Sequence, residues 1–135
     1  AAFKTWQSMI EPEWAHVHYT KPDFQDITYY SAPKQSKKYG YCSDTIFDLS
    51  LVGYIKGVDL LYHEATFGDD ETERAGTTFH STSRQAAVIA MKAKAGKLLL
   101  GHYSSRYKDL HPILDQAKEV FENSFLSEEG ITYSI

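Results

Sequence analysis

Hydrophobic positions along this chain fall into two regimes that meet near Tyr39. Before it, apolar pieces such as "AHVHYT" and "ITYY" are short, and three of the four prolines interrupt them. Residues 1–38 therefore read as an irregular lead-in with one or two short strands, and residues 39–135 as a single regular unit. From Tyr39 onward, short apolar runs alternate with amphipathic stretches. "KYGYC" predicts a short aromatic strand, and "SDTIFDLSLVGYIKG" a turn and short helix ending at Gly57. "VDLLYHEA", Val58 to Ala65, predicts an apolar strand that breaks into the acidic loop "TFGDDETERAGTTF". "STSRQAAVIAMKAKAG", Ser81 to Gly96, predicts a helix with a hydroxyl N-cap and a glycine stop. "KLLLGHY" predicts a strand, and "KDLHPILDQAKEVFEN" an amphipathic helix with Pro112 in its first turn. "SFLSEEGITYSI" closes the chain as one or two strands around Gly130. Strands alternating with helices of this length predict an α/β layered arrangement.

Composition narrows the class. At 135 residues, with 42% apolar and 24% charged residues, the chain suits one soluble domain with a real core. No apolar stretch approaches the ~20 residues needed to span a bilayer. The start, "AAFKTWQSMI", lacks the basic end and apolar centre of a signal peptide. Cys42 is the single cysteine, which excludes an internal disulfide and fits a reducing compartment. The net charge of −4 argues against a module held to nucleic acid by bulk electrostatics. Contact with a polynucleotide would need a local site, a metal, or a segment outside this chain.

Four polar features fall where apolar runs stop. They are Asp44 after "KYGYC", His63 and Glu64 after "VDLLY", His80 before a helix, and His102 after "KLLLG". Each has a plain structural reading: a turn or cap for Asp44, a solvated strand end for His63 and Glu64, an exposed loop for His80. In layered α/β proteins, however, strand ends are where sites assemble. Asp and His together suit zinc or manganese, and an aspartate can bridge two metals. Glu64 and His80 form a carboxylate–imidazole pair able to fix a tautomer and move a proton. Ser81, Thr82 and the first amides of the following helix suit a phosphate, and Arg106 could grip the same group with its planar fork. Metal, proton relay and anion grip together describe phosphodiester hydrolysis.

The stretches "YCSDT", "HEATF", "HSTSRQAA" and "LLLGHYSSRY" closely resemble the C-terminal half of ribonuclease Z, the transfer-RNA 3′-processing endonuclease of the metallo-β-lactamase fold. The resemblance runs from about Tyr39 to about Gly130. It implies an α/β fold, the C-terminal half of an αββα sandwich with a mixed sheet and helices packed on one face. By resemblance, Asp44 is the aspartate that bridges two zinc ions, and His102 is a terminal zinc ligand. His80 and Glu64 are then assigned proton transfer to the leaving oxygen. The implied substrate is precursor tRNA, and the implied whole enzyme is a cytoplasmic homodimer with no membrane attachment.

Two departures qualify what is implied. Ser43 stands where the family has glycine before the bridging aspartate. More seriously, the family's "HxHxDH" metal cradle is absent. "HVHYT" imitates only its first positions, so His16 and His18 read as one exposed strand face. The family's long basic arm for tRNA is absent too. The chain is therefore expected to be the C-terminal part of the enzyme, separated from its N-terminal half. Alone it should be inactive and hold zinc weakly or not at all. Two other readings remain open: another metallo-β-lactamase-fold phosphodiesterase or hydrolase, and a non-enzymatic paralogue that acts in binding or dimerisation.

Overall fold

The computed structural model describes residues 36–135. The strands expected in "AHVHYT" and "ITYY", and the paired His16 and His18, lie outside the described residues. In chain order the elements are β1 (Tyr39–Cys42), α1 (Leu51–Tyr54), β2 (Leu60–Glu64), α2 (Thr72–Thr77), α3 (Ser83–Ala93), β3 (Lys97–Gly101), α4 (His111–Lys118) and β4 (Ser124–Leu126). A 3-10 turn, Asp69–Glu71, leads into α2.

The four strands form one sheet in the order β1-β2-β3-β4, every neighbouring pair parallel. The mixed sheet expected above is thus corrected, for the described residues, to an all-parallel one. The reason is connectivity. Parallel neighbours need a crossover, and here β1, β2 and β3 are each followed by helix before the chain enters the next strand. "SFLSEEGITYSI", the segment that could have turned back, forms β4 alone and runs on without a second strand.

Register sorts the side chains onto two faces. Gly40, Leu61, Leu98 and Ser124 lie in one row, and Cys42, His63, Leu100 and Leu126 in the next row on that face. This face meets the helices: Leu61, Leu98 and Leu100 share a core with Ala86, Ala87, Ile89, Ala90 and Ala93 of α3 and Ile113 and Ala117 of α4. The alanines let α3 sit close against the leucines. Each fully buried Leu or Ile here is worth about 1.5–3 kcal/mol, so a truncation such as Leu98→Ala would cost about 2–5 kcal/mol. The opposite face carries Tyr41, Tyr62, Leu99 and Phe125 in one row. Tyr41 and Tyr62 stack at 4.8 Å, and Tyr41 is exposed.

Local chemistry sets the helix ends. Thr82 caps α3 in a capping box: its side chain accepts from the Gln85 amide at 3.2 Å, and Gln85 returns the bond to the Thr82 amide at 2.9 Å. The helix stops at Lys94, which takes the left-handed conformation at φ 54, rather than at the expected glycine. Gly96 serves another purpose. A Cβ there would lie 2.6 Å from the Asp59 carbonyl oxygen, where the chain enters β3. The acidic stretch expected as a loop contains α2, a short helix whose Thr and Gly residues give little intrinsic signal.

Candidate metal and proton-transfer site

The parallel arrangement brings the C-terminal ends of β1, β2 and β3 to one edge, where layered α/β folds place their sites. Asp44 follows β1 by two residues, Glu64 ends β2, and His102 directly follows β3. His80 joins them from the connection between α2 and α3. That connection is pinned by a parallel bridge from Phe67 to Thr82, in which the Ser83 amide donates to the Phe67 carbonyl at 2.9 Å. Backbone strain gathers here as well. Among the described residues, the non-glycine positions with positive φ are Asp44, Phe79, Lys94 and His102. Two of these are candidate ligands and a third, Phe79, precedes His80. Left-handed backbone costs about 1–2 kcal/mol at a residue with a Cβ, and such strain collects at functional sites.

Asp44, His80 and His102 each offer one ligand atom within 4.8 Å of the others. One carboxylate oxygen and two imidazole nitrogens make a donor set of the kind that holds zinc or a similar divalent ion. His102 Nε2 lies 3.1 Å from Asp44 Oδ1, and both side chains are substantially exposed. The residues present therefore fit a metal, with the open side toward solvent.

Behind them sits Glu64, fully buried. Four donors converge on its carboxylate. Oε1 accepts from the Thr45 amide at 3.0 Å and from His80 Nδ1 at 2.9 Å; Oε2 accepts from the Thr66 amide at 3.1 Å and the Thr66 hydroxyl at 2.7 Å. A carboxylate out of water needs such partners, since removing one member of a buried pair costs about 3–5 kcal/mol. With Nδ1–H bound to Glu64, His80 keeps Nε2 for another partner. The neighbour His63 points to the other face, into the core. Its Nδ1–H donates to the Glu64 carbonyl at 2.7 Å, Nε2 has no partner, and burial holds its pKa below the usual histidine value. His63 takes no part in the cluster.

The structure treats the expected phosphate grip differently. Ser81 and Thr82 are buried, and their hydroxyls are committed inside the chain. Ser81 Oγ donates to the Thr45 carbonyl at 2.7 Å, which braces the loop carrying Asp44, and Thr82 is the helix cap. The Thr82 amide is taken by Gln85 and the Ser83 amide by Phe67, so this helix end has few donors left for an anion. Arg106 is pulled to the rim. It pairs with Glu71, bonds Ser104 Oγ at 3.2 Å, and lies 5.4 Å over the Phe67 ring. Of the three residues, only Arg106 keeps an accessible side chain. An open groove of about 410 Å³ beside His102 is lined by Tyr62, Tyr103, Ser127, Glu128 and Glu129. Its two glutamates make it a poor seat for phosphate.

Thr66 is the residue that reading the sequence missed. It stands in "HEATF", next to residues that were singled out, yet nothing in a threonine's spacing reveals a shared hydrogen bond.

No family model matches the chain. Among curated proteins, ribonuclease Z of Parabacteroides distasonis is 52% identical over 99 residues, covering 73% of this chain and 33% of that protein. Ribonuclease Z of Porphyromonas gingivalis is 48% identical over 114 residues, covering 82% of this chain and 38% of that protein. The chain spans about a third of the length of the curated relatives it matches. Among solved structures, a metallo-β-lactamase fold protein of Bacillus subtilis aligns with TM-score 0.68 at 27% identity, over 73% of this chain and 40% of that one. The short form of human tRNase Z aligns with TM-score 0.54 at 30% identity, over 73% and 34%.

Proposed function

We propose that this chain, a homologue of ribonuclease Z over about a third of that enzyme's length, supplies the proton-transfer pair and part of the metal site of a tRNA-processing phosphodiesterase. The observation that carries the reading is the joining of Asp44, His80 and His102 to a buried Glu64 at one sheet edge. Asp44 and His102 would hold zinc, which supplies Lewis-acid stabilisation of the charged phosphate. Glu64 holds the Nδ1–H of His80 and orients the ring. As the imidazolium, with Nδ1–H held by Glu64, His80 would give its Nε2 proton to the oxygen that leaves when the phosphodiester breaks and return to the neutral Nδ1–H form. Carboxylate and imidazole act as one device: the first fixes the tautomer, the second moves the proton. A catalytic zinc takes about three protein ligands, so two ligands from this chain hold it weakly. The group that activates water and the surface that binds precursor tRNA belong to the other two-thirds of the enzyme, and the chain alone is inactive.

The likeness to the Bacillus subtilis protein is one of fold and names no substrate, which leaves a second reading: a hydrolase of the same fold that acts on a small phosphodiester. A chimera separates the two. Residues 39–135 would replace the corresponding third of the Parabacteroides distasonis enzyme, and cleavage of precursor tRNA would be compared with that of bis(p-nitrophenyl) phosphate. Trailer removal from tRNA is the expected result. A folded, metal-loaded chimera that cleaves only the small ester would overturn it.

A further inference from the structure

Thr66 is buried, and its hydroxyl touches every member of the inner site except Asp44. Oγ1 lies 2.7 Å from Glu64 Oε2, 3.0 Å from His102 Nδ1 and 3.2 Å from His80 Nδ1; the His102 carbonyl is also at 3.0 Å. A hydroxyl has one proton to give and two lone pairs to receive. The shortest contact is to a carboxylate oxygen, at the distance of a charge-assisted O–H···O bond, so the proton goes to Glu64. Oγ1 can then only accept, and His80 already gives its Nδ1–H to Glu64 Oε1 at 2.9 Å. His102 is the donor that remains.

We propose that Thr66 is a positioning residue that accepts the Nδ1–H of His102 while donating to Glu64, so that one buried carboxylate sets the tautomer of both imidazoles. His80 is set directly and His102 through the hydroxyl. The consequence for His102 is chemical as well as geometric. Its Nε2, which faces Asp44 Oδ1 at 3.1 Å, is left as a lone pair, the form a metal requires. Without the hydroxyl, the neutral ring would move its proton to Nε2 and give it to Asp44. The ligand and proton-transfer roles of His102 and His80 rest on the function proposed above; the tautomer does not.

The test is long-range proton–nitrogen NMR of the metal-free, nitrogen-15-labelled chain, recorded at about pH 8.5, well above the ordinary histidine value of about 6.5. In the wild type and in Thr66→Ser, His102 should be the Nδ1–H tautomer. In Thr66→Val, which keeps the shape and removes the hydroxyl, His102 should switch to Nε2–H, while His80 stays Nδ1–H. The Nδ1–H signal of buried His63 reports that the fold is intact. Should Thr66→Val lose that signal, Thr66→Ala removes the same hydroxyl and is read in the same way. His102 found as Nε2–H in the wild type, or unmoved by loss of the hydroxyl in a folded variant, overturns the proposal. Zinc added to the wild-type chain should shift His102 Nε2. Because two ligands hold zinc weakly, the tautomer result alone decides Thr66.

Discussion

Asp44 Oδ1 and His102 Nε2 stand 3.1 Å apart, each at the end of a different parallel strand and each on left-handed backbone. His80 lies within the same 4.8 Å group, so distance alone does not divide ligand from proton donor. The hydrogen bond to Glu64 does not divide them either, since a carboxylate-held imidazole can ligate a metal or move a proton, and the variants do. In the chimera, Asp44→Ala and His102→Ala should lose bound zinc and activity together, whereas His80→Ala should keep its zinc and lose turnover. Metal content by atomic emission, set beside kcat, checks this; a His80→Ala protein that sheds zinc makes His80 a ligand.

Glu64 and His80 should also fail as a unit. A general acid contributes roughly 100- to 10,000-fold, and His80→Ala in the chimera should lose an amount in that range. Glu64→Gln acts by misorienting the same ring, so the double variant should be little worse than His80→Ala. Losses in kcat that multiply would break the pairing.

Stability gives Glu64 a second readout. Two backbone amides, one hydroxyl and one imidazole donate to it, and the side-chain amide introduced by Glu64→Gln would present hydrogens of its own to some of these donors. Each buried donor left unpaired costs about 1–3 kcal/mol. Urea unfolding of the chain should therefore show Glu64→Gln less stable by about 1–3 kcal/mol. An unchanged midpoint would mean the carboxylate is not held as described.

The pH dependence of folding should carry the mark of His63. Burial lowers its pKa in the folded state below the unfolded value of 6.5. Below that value the unfolded chain takes up a proton that the folded chain refuses. The contribution of His63 is therefore complete above about pH 6.5 and is lost as pH falls, with a slope of at most about 1.4 kcal/mol per pH unit. His63→Leu should flatten that slope in urea midpoints measured between about pH 7 and 5. His111, raised by the Asp109 carboxylate beside it, acts in the opposite sense but is fully exposed.

Cys42 offers a probe of opening. It is 8% exposed, and burial pushes its thiol pKa up, so thiolate is scarce and shielded. Native chain should react with a disulfide reagent far more slowly than urea-unfolded chain. Equal rates would show that β1 is not held in the sheet.

The sheet's strands were legible because "VDLL" and "KLLL" are too apolar to be anything but buried, and α3 because its alanines and cap residues repeat with helical spacing. Strand direction was not legible, since an apolar run has no polarity until its connections are known. Asp44, Glu64, His80 and His102 stood out by type, each at the end of a recognisable element. The committed hydroxyls of Ser81 and Thr82 and the shared one of Thr66 did not. A serine or threonine looks the same in sequence whether it faces a ligand, caps a helix or joins two histidines, and only three-dimensional neighbours tell these apart.

The left-handed backbone at Asp44, Phe79 and His102 has a consequence for how selection acts on this chain. Glycine at any of the three would relieve strain, by about 1 kcal/mol each. A library sorted only for folding should drift toward glycine at these places and away from the residues now there. A library sorted for metal binding should hold Asp44 and His102 unchanged. Three of the four left-handed places where the native residue would lose to glycine in a map of stability alone then fall at the site, with no substrate or metal in the experiment, and the fourth, Lys94, marks the end of α3.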